Sequence, residues 1–436
     1  MKLRPFELAL VIIFGGLAGL ALFMMATYKS SGDIKLAELS AIGQVTIWGT
    51  LPADGVNSLF KELSFENPLF KQITYKYHDP KNFNVELRDA ISYNKGPNVI
   101  LLPSENLVAL RDRITPVSYV NFPDREIRDR YVDGAHIFAL SDGLYGYPVA
   151  VDPIMMYWNK DILTTEGFLE PPKTWESLVN TMFPALIQRD FDRTIKRSVV
   201  AMGEYDNVRN SFGVLSALLL QGGTKGVIDT GKNYSMQLAV SELGSSDPLR
   251  AAANFYTNFS KSNNTLYSWN RSLPEDRQQF IAGDLAFYFG YASEAKDIER
   301  ANPNLNFDIA EIPQGADATV RRTYGKMYAF SVLKVSDNVA GAGAVVAVLA
   351  SSAIADKFAT SNNLVPAYRA TVAQGNNDVY SRAAYKSAGI TFGWLNPERV
   401  AADNIFGTMV KDINENRSNV DNASIDVITK LSKEYK

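Results

Sequence analysis

The sequence predicts a two-lobe α/β protein preceded by one transmembrane helix, and three observations predict it. The chain has 436 residues, which is long for a single domain. Strand-like and helix-like segments alternate after position 43, as in sheets covered by helices. An uncharged apolar run of about 19 residues lies near the N-terminus, which is the length of a membrane-spanning helix.

The composition excludes several classes of function. A net charge of −3 gives no reason to expect a nucleic acid as partner. The absence of cysteine excludes disulfides, thiolate metal sites, cysteine nucleophiles and a lipidated cysteine. The chain has two histidines, His78 and His136, which argues against a multi-histidine metal centre. We therefore expect no metal and no cofactor.

The apolar run extends from Leu8 to Ala26 and can cross roughly 30 Å of hydrocarbon as a helix. Lys2 and Arg4 precede it, which favours a cytoplasmic N-terminus and an extracellular remainder. A cleaved signal peptide is the alternative, because it too has a basic start and an apolar centre. The length of the run and the poor cleavage site after it favour an uncleaved membrane anchor.

The segments after the anchor predict a parallel sheet. Strands are expected at Val45–Trp48, Gln72–His78 and Asn98–Leu102, with helices at Val56–Leu63 and Val85–Tyr93 between them. Strand–helix–strand alternation places the carboxyl ends of the strands at one edge of the sheet. Ligands of open α/β sheets bind at that edge.

Residues 143–163, GLYGYPVAVDPIMMYWNKDIL, predict a passage of the chain from one packed unit to another. A turn rich in Gly, Tyr and Pro leads into an apolar β-type run that carries one carboxylate, Asp152. A second run, Ile154–Trp158, ends in the polar turn Asn159–Asp161. An ordinary buried strand pair is the alternative interpretation.

The chain beyond this passage is predicted to be more helical. The apolar segment Ala340–Ala355 is rich in Ala and Gly and is bracketed by Asp337 and Asp356, which favours a buried helix over a second membrane span. The other expected elements are, in order, helices at Trp175–Met182 with Pro184 after it, Arg209–Gln221, Leu249–Ser260 with Asp247 as N-cap, and one ending near Phe280; strands at Leu285–Phe289 and Met327–Leu333, with a polar loop at 313–322 between them; and helix from Pro397 onward.

Several landmarks follow one another along the chain. They are Trp48-Gly49, Gly96-Pro97-Asn98-Val99, GYPVAVD with YWNKDIL, PPKTWESL, FIAG with LAFYFGYAS, IPQG with RTYG, and Trp394-Leu395-Asn396-Pro397. In this order they resemble the family 1 extracellular solute-binding proteins, the ligand-capturing components of bacterial ABC importers, best known for sugars. The resemblance covers the chain from Val45 to the C-terminus. Asn98 departs from it, since the family usually has Asp there.

The resemblance implies a type II periplasmic-binding-protein-like fold, in which two α/β lobes close on a ligand like a clamp. Crossings between the lobes are expected near Val149–Asp152, near Tyr324–Met327 and near Ile390. The implied domains are a membrane anchor at 1–28, a linker at 29–42, lobe 1 at 43–150 and 327–388, and lobe 2 at 151–326 and 389–436.

Three aromatic residues occupy positions that line the cleft in this family. A sugar has C–H faces that stack on aromatic rings and hydroxyl edges that bind planar polar groups. The resemblance therefore implies that Trp48, Tyr291 and Trp394 are stacking platforms. Packing in the core or between the lobes is the alternative for each. Tyr291 stands where many relatives have tryptophan.

Five polar residues are the other candidates for the ligand site. Asp152 can accept two hydroxyl donors, and its alternative role is a hinge residue bonded to backbone amides. Asp54 is expected in the loop after the first strand, and Ser104 and Glu105 follow the third strand. Ser104 could equally be the N-cap of a helix. Tyr324 lies at the return crossing.

The function that the resemblance implies is binding without catalysis. A membrane-anchored extracellular protein would capture a small solute, with a carbohydrate expected, and deliver it to an ABC transporter permease. One alternative is an anchored glycoside hydrolase that uses Asp152 with Glu105 or Asp54 as its two carboxylates. Another is a sensor ectodomain of the same fold. A Ser-His-Asp hydrolase is disfavoured, because the chain has no G-x-S-x-G motif.

Overall fold

The computed structural model describes residues 42–244 and 247–435. The predicted membrane anchor at 1–28 and the linker up to residue 41 lie outside the described residues. Within the described part of the chain, no single helix is both long and apolar enough to cross a membrane. The helices Val339–Leu349 and Ser352–Ser361 pass that test only together, as a pair bent by 77°.

The strands are numbered in chain order. They are β1 (Val45–Gly49), β2 (Ile73–Tyr77), β3 (Val99–Pro103), β4 (Ala139–Leu140), β5 (Gly143–Leu144), β6 (Tyr147–Asn159), β7 (Gln188–Arg189), β8 (Ile195–Val200), β9 (Val227–Asp229), β10 (Tyr234–Met236), β11 (Leu285–Tyr291), β12 (Phe307–Glu311), β13 (Thr323–Val332), β14 (Val365–Pro366) and β15 (Thr391–Phe392).

The helices are numbered in the same way. They are α1 (Ala53–Glu66), α2 (Phe83–Ser92), α3 (Leu107–Leu110), α4 (Asp124–Arg130), α5 (Lys160–Thr165), α6 (Trp175–Ser177), α7 (Phe183–Leu186), α8 (Ser211–Gln221), α9 (Pro248–Thr257), α10 (Asp276–Ala282), α11 (Ala295–Ala301), α12 (Val339–Leu349), α13 (Ser352–Ser361), α14 (Arg369–Gln374), α15 (Val379–Ala388), α16 (Arg399–Asn414) and α17 (Val420–Glu434).

One large sheet runs through the molecule in the order β2-β1-β3-β13-β6-β11-β8-β7. In its first half, β1 pairs in parallel with β2 and β3, as predicted. Strand β14 also joins this half, through the N-terminal part of β6. The second half consists of β7, β8, β11 and β12 with the C-terminal part of β6.

Strand β6 belongs to both halves. The sequence suggested two runs, but they form one strand of 13 residues. Val151 pairs with β13 and β14, whereas Ile154 pairs with Tyr291 of β11. Pro153 lies between the segment that pairs with β14 and the segment that pairs with β11. Its missing N–H therefore removes no hydrogen bond to either of these strands. The proline therefore sits at the junction of the two halves.

Strand β13 runs antiparallel to β6 across the same junction, and β15 pairs in parallel with its beginning. The backbones approach closely here. A β-carbon added at Gly134 would overlap the carbonyl oxygen of Thr391, and one added at Gly325 would lie 2.7 Å from the carbonyl oxygen of Asp152. Glycine at these positions lets the segments that connect the halves pack backbone to backbone.

Among the predicted element boundaries that are wrong, two have a clear physical reason. Helix α1 begins at Ala53, so Asp54 lies in its first turn and not in a loop; a carboxylate is favourable there because it faces the positive end of the helix dipole. The helix predicted at Trp175–Met182 continues to Leu186 and includes Pro184. A π-helical turn, in which the Phe183 N–H donates to the Leu178 carbonyl, accommodates the proline.

The other predicted helices form, with one difference, whereas α3, α4, α5, α11, α14 and α15 were not predicted. Asp247 caps α9 and accepts hydrogen bonds from the N–H groups of Leu249 and Arg250. The Ala-rich segment forms two helices, α12 and α13, instead of one. Helix α8 is buried from Ser211 to Leu220 because β13, β6, α9 and α16 surround it. This placement brings Phe212 to the junction between the halves.

Candidate functional site

A group of polar and aromatic side chains lies at the junction of the two halves of the sheet. We call it the hinge cluster. Its members are Glu105 after β3, Asp152 on β6, Tyr291 at the end of β11, Tyr324 and Lys326 on β13, and Arg399 at the start of α16. Four of these six were predicted as ligand-binding residues, and the fold brings those four together with Lys326 and Arg399.

Glu105 is the centre of the cluster. Its side chain is buried, and one carboxylate oxygen, Oε1, accepts hydrogen bonds from the Tyr324 hydroxyl at 2.7 Å and from Nε of Arg399 at 3.0 Å. Burial, together with the negative charge of Glu105, raises the pKa of Tyr324 well above its usual value. Tyr324 is therefore a neutral hydrogen-bond donor at physiological pH.

Arg399 is held mainly by the second half of the molecule. Its guanidinium lies 4.0 Å from the ring centroid of Phe212 and 2.9 Å from a carboxylate oxygen of Asp403. Asp403 in turn accepts a hydrogen bond from Tyr205. Burial alone would lower the pKa of Arg399, but the charges of Glu105 and Asp403 outweigh it and raise that pKa. The arginine remains positively charged.

Asp152 is buried, and both of its oxygens are hydrogen-bonded. Oδ1 accepts from the Ser293 N–H at 3.0 Å and Oδ2 from the Ser293 hydroxyl at 2.7 Å. Burial raises the pKa of Asp152 from 3.8 to about 6, while Ser293 and the charge of Lys326 partly offset it. This geometry fits the alternative of a hinge residue, and the ligand-binding role stays a prediction.

The three predicted aromatic platforms are buried and in contact with other side chains. The ring of Trp48 stacks on His78, with centroids 3.9 Å apart, and Lys76 lies over it at 4.9 Å. Lys326 lies 4.1 Å from the ring centroid of Tyr291. Trp394 is 2% exposed and its Nε1 donates to Ser216 at 3.1 Å, a geometry typical of core packing.

The last two predicted residues differ in environment. Ser104 is buried, and its hydroxyl accepts a hydrogen bond from the Met327 N–H at 3.2 Å. It therefore contacts a connecting strand and does not act as the N-cap that the alternative proposed. Asp54 is exposed on α1. The structure thus places Ser104 next to the hinge cluster, and Asp54 on the surface of the first half.

A cavity of about 510 Å³ also lies between the two halves. Of the predicted site residues, only Trp394 lines it. Its charged lining groups already have partners: Asp229 pairs with Arg111, and Arg128 pairs with Asp124. The remaining lining is largely apolar. Because the hinge cluster gathers four of the eight predicted site residues and this cavity is lined by one, we regard the hinge cluster as the candidate binding site.

Arg399 and Lys326 were missed by the sequence analysis. One signal for Arg399 was present. It stands in the first turn of α16, where a cation opposes the helix dipole and is unfavourable unless a carboxylate compensates it. The signal for Lys326 was of the kind that marked Asp152, a single charge in a mostly buried strand. Within residues 42–244 and 247–435, no group of three or more His, Asp or Glu side chains is arranged to hold a metal ion.

Comparison with known proteins identifies relatives at the level of family and fold. Residues 86–386 match the profile of a family described as "Bacterial extracellular solute-binding protein". This match covers more than half of the chain. No curated protein is similar enough in sequence to match the chain.

Several solved structures share the architecture. The sugar-binding protein MalE from Xanthomonas citri is 17% identical, with a TM-score of 0.70 over 90% of this chain and 97% of that one. MalX from Streptococcus pneumoniae, in complex with maltopentaose, is 17% identical, with a TM-score of 0.66 over 89% and 100%. The maltotriose-binding protein of Thermus thermophilus is 15% identical, with a TM-score of 0.65 over 89% and 99%.

These similarities establish the two-lobe periplasmic-binding-protein-like fold. The large sheet with shared strands β6 and β13 is the framework of that fold in this chain. The hinge cluster lies where these strands connect the two lobes.

Proposed function

The chain belongs to the bacterial extracellular solute-binding proteins, and from this premise we propose that it captures a carbohydrate between its lobes and delivers it to an ABC importer. The related structures support this choice of solute, since they include complexes with maltotriose and maltopentaose. The family consists of binding proteins, so no bond is made or broken.

The observation that carries the proposal is the balanced polar character of the hinge cluster. Carboxylates of Glu105 and Asp152 face cations of Arg399 and Lys326. A neutral solute with several hydroxyls can exchange hydrogen bonds with such groups and leaves no buried charge unpaired. A charged solute would add a charge that the cluster does not compensate.

Binding would act through closure of the two lobes. We propose the division expected from the sequence, with lobe 1 at 43–150 and 327–388 and lobe 2 at 151–326 and 389–436. A ligand that contacts both lobes favours the closed state by its differential affinity for that state. The proposed contacts are the predicted site residues: Trp48, Asp54, Ser104, Glu105, Asp152, Tyr291, Tyr324 and Trp394.

The anchor at Leu8–Ala26 would keep the protein at the cell membrane, with one span and an extracellular C-terminal domain. A permease in the same membrane is the proposed partner, because tethering raises the effective concentration of the loaded protein at the transporter. Because the chain contains no cysteine, a single cysteine introduced at exposed Asp426 provides a unique probe. It should react with an impermeant maleimide in intact cells.

Binding of a panel of sugars tests the proposal. The full chain is purified in a detergent without a sugar headgroup, and its tryptophan emission and melting temperature are followed as each sugar is added. A sugar at a hundred times its Kd should stabilise the fold by about 2.7 kcal/mol. Emission should shift because Trp48 and Trp394 are among the proposed ligand contacts. If no mono- or oligosaccharide changes either signal, the proposed function is wrong.

A further inference from the structure

The ion pair between Glu105 and Arg399 joins the two halves of the molecule. Glu105 follows β3 of the first half, and Arg399 begins α16, which packs against α8 and α9 of the second half. We infer, on the basis of the proposed function, that Arg399 is a ligand-contacting residue and that Glu105 occupies in the free protein the position that ligand hydroxyls take beside it.

Arg399 is oriented independently of Glu105. Phe212 lies under its guanidinium, and Asp403 holds Nη1 from the next turn of the same helix. Both contacts come from the second half, so loss of Glu105 would leave the guanidinium in place. A planar cation that is fixed in this way holds its remaining donors in position for a ligand that also contacts the first half.

The pair leaves hydrogen-bonding capacity on both sides. Among residues 42–244 and 247–435, Nη2 of Arg399 donates no hydrogen bond, and Oε2 of Glu105 accepts none, because Tyr324 and Arg399 both bind Oε1. A hydroxyl group is both donor and acceptor, so one that enters between the two side chains can donate to the Glu105 carboxylate and accept from the Arg399 guanidinium. This pattern suits a neutral solute with adjacent hydroxyls.

A second contact between the halves lies one residue away. The side-chain amide of Asn84 on α2 donates to Glu398 at 3.1 Å. The other atom of that amide, Oδ1 of Asn84, is buried and has no hydrogen-bond partner in the described part of the chain. Buried acceptors without partners are rare, and a ligand hydroxyl would satisfy this one. The start of α16 therefore faces the first half with two adjacent polar residues.

Exchange of the ion pair for a ligand is energetically feasible. Most of the Coulomb attraction in a buried pair is offset by the loss of hydration of both charges. When ligand hydroxyls replace its hydrogen bonds, Arg399 stays paired with Asp403, and the Glu105 carboxylate keeps the hydrogen bond from the neutral Tyr324 hydroxyl. The ion pair in the free protein and the ligand then compete for the same atoms.

Substitution of Arg399 tests the inference with the sugar that the wild-type chain binds most tightly. Arg399→Gln should weaken binding by about ten- to hundredfold, the effect of losing a charged hydrogen bond. Arg399→Lys should keep the charge, lose the fork of donors and give an intermediate affinity. Arg197→Gln is the matched control, since it breaks a similarly buried pair with Glu166 inside the second half. Its Kd should stay within about twofold of wild type.

Distance measurements provide a second readout. Spin labels on Lys61→Cys in α1 and Asp426→Cys in α17 report the separation of the halves, because no other cysteine is present. Without sugar, the distance between the two labels should be longer in Arg399→Gln than in wild type, because the ion pair with Glu105 is lost. An unchanged distance would overturn the role of the pair in the free protein.

The outcomes separate this inference from the proposed function. If the wild-type chain binds no sugar, the proposed function fails, and the contact role of Arg399 fails with it. If the wild-type chain binds sugar and Arg399→Gln binds it equally well, only the inference fails. If Arg399→Gln does not fold, as judged by circular dichroism, Arg399→Lys decides: an affinity equal to wild type would overturn the inference.

Discussion

Replacing Asp152 by asparagine is expected to stabilise the fold at neutral pH and to weaken solute binding. Burial is the main reason why the pKa of the Asp152 carboxyl rises from 3.8 to about 6. Hydrogen bonds from Ser293 and the charge of Lys326 oppose this rise without cancelling it. At pH 7 the protein therefore holds this group in its charged form against a cost of desolvation.

The sign of the effect follows from proton linkage. A carboxyl with a raised pKa binds more protons in the folded state than in the unfolded state between pH 3.8 and about 6. Its contribution to the free energy of unfolding therefore falls as the pH rises through this range, and is constant above it. At about 1.4 kcal/mol per pH unit, the loss amounts to roughly 3 kcal/mol.

An amide at this position has the same shape and no charge. Its oxygen can accept from the Ser293 N–H, and its NH₂ group can donate to the Ser293 hydroxyl. Asp152→Asn should thus match wild type below about pH 4 and exceed it by up to roughly 3 kcal/mol at neutral pH. Sugar affinity should fall about ten- to hundredfold, because a charged acceptor is lost.

Urea unfolding between pH 4 and 8 measures this difference. Asp426→Asn is the control, because Asp426 is exposed on α17 and its replacement should change the free energy of unfolding by less than about 0.5 kcal/mol at every pH. A lower stability of Asp152→Asn than of wild type at pH 8 would refute the reasoning. So would a difference that does not vary with pH.

Two further predictions concern the framework. Gly134→Ala should reduce the free energy of unfolding by about 1–3 kcal/mol in urea titrations, because its β-carbon would overlap the carbonyl of Thr391; Gly389→Ala, whose nearest neighbour would be 3.6 Å away, should change it little. Asn98→Asp should cost about 1–3 kcal/mol at pH 7, because Asn98 donates to a carboxylate oxygen of Asp337 at 2.8 Å. In a double-mutant cycle, adding Asp337→Asn to Asn98→Asp should restore most of that loss. If the effects of the two substitutions are additive, the explanation is wrong.

The framework of the first half could be predicted because its signals are local. Strands β1, β2 and β3 lie within one residue of their predicted bounds at each end. Their apolar runs are short and are bounded by turn residues, so neighbouring residues alone define them. The helix end predicted before Pro184 is wrong for the opposite reason, since a π-helical turn depends on packing that the sequence does not display.

The hinge cluster could be predicted only in part. Glu105 was predicted from its position after the third strand and Tyr324 from its position at the return crossing, but the bond between them joins residues 219 positions apart. The partner Arg399 lies 294 positions from Glu105. Contacts at such separations leave no periodicity in either segment. The environment of Trp394 shows the same limit, because its contacts with Ser216 and Phe212 come from a segment distant in sequence.

The continuous course of β6 has a consequence for cooperativity. Strand β6 forms backbone hydrogen bonds with strands of both halves, before and after Pro153. Neither half therefore has a complete sheet without β6. A fragment cut at the lobe boundary would expose an unpaired edge and aggregate. Heating should accordingly melt the described part of the chain in a single transition, although the proposed closure moves its two halves relative to each other.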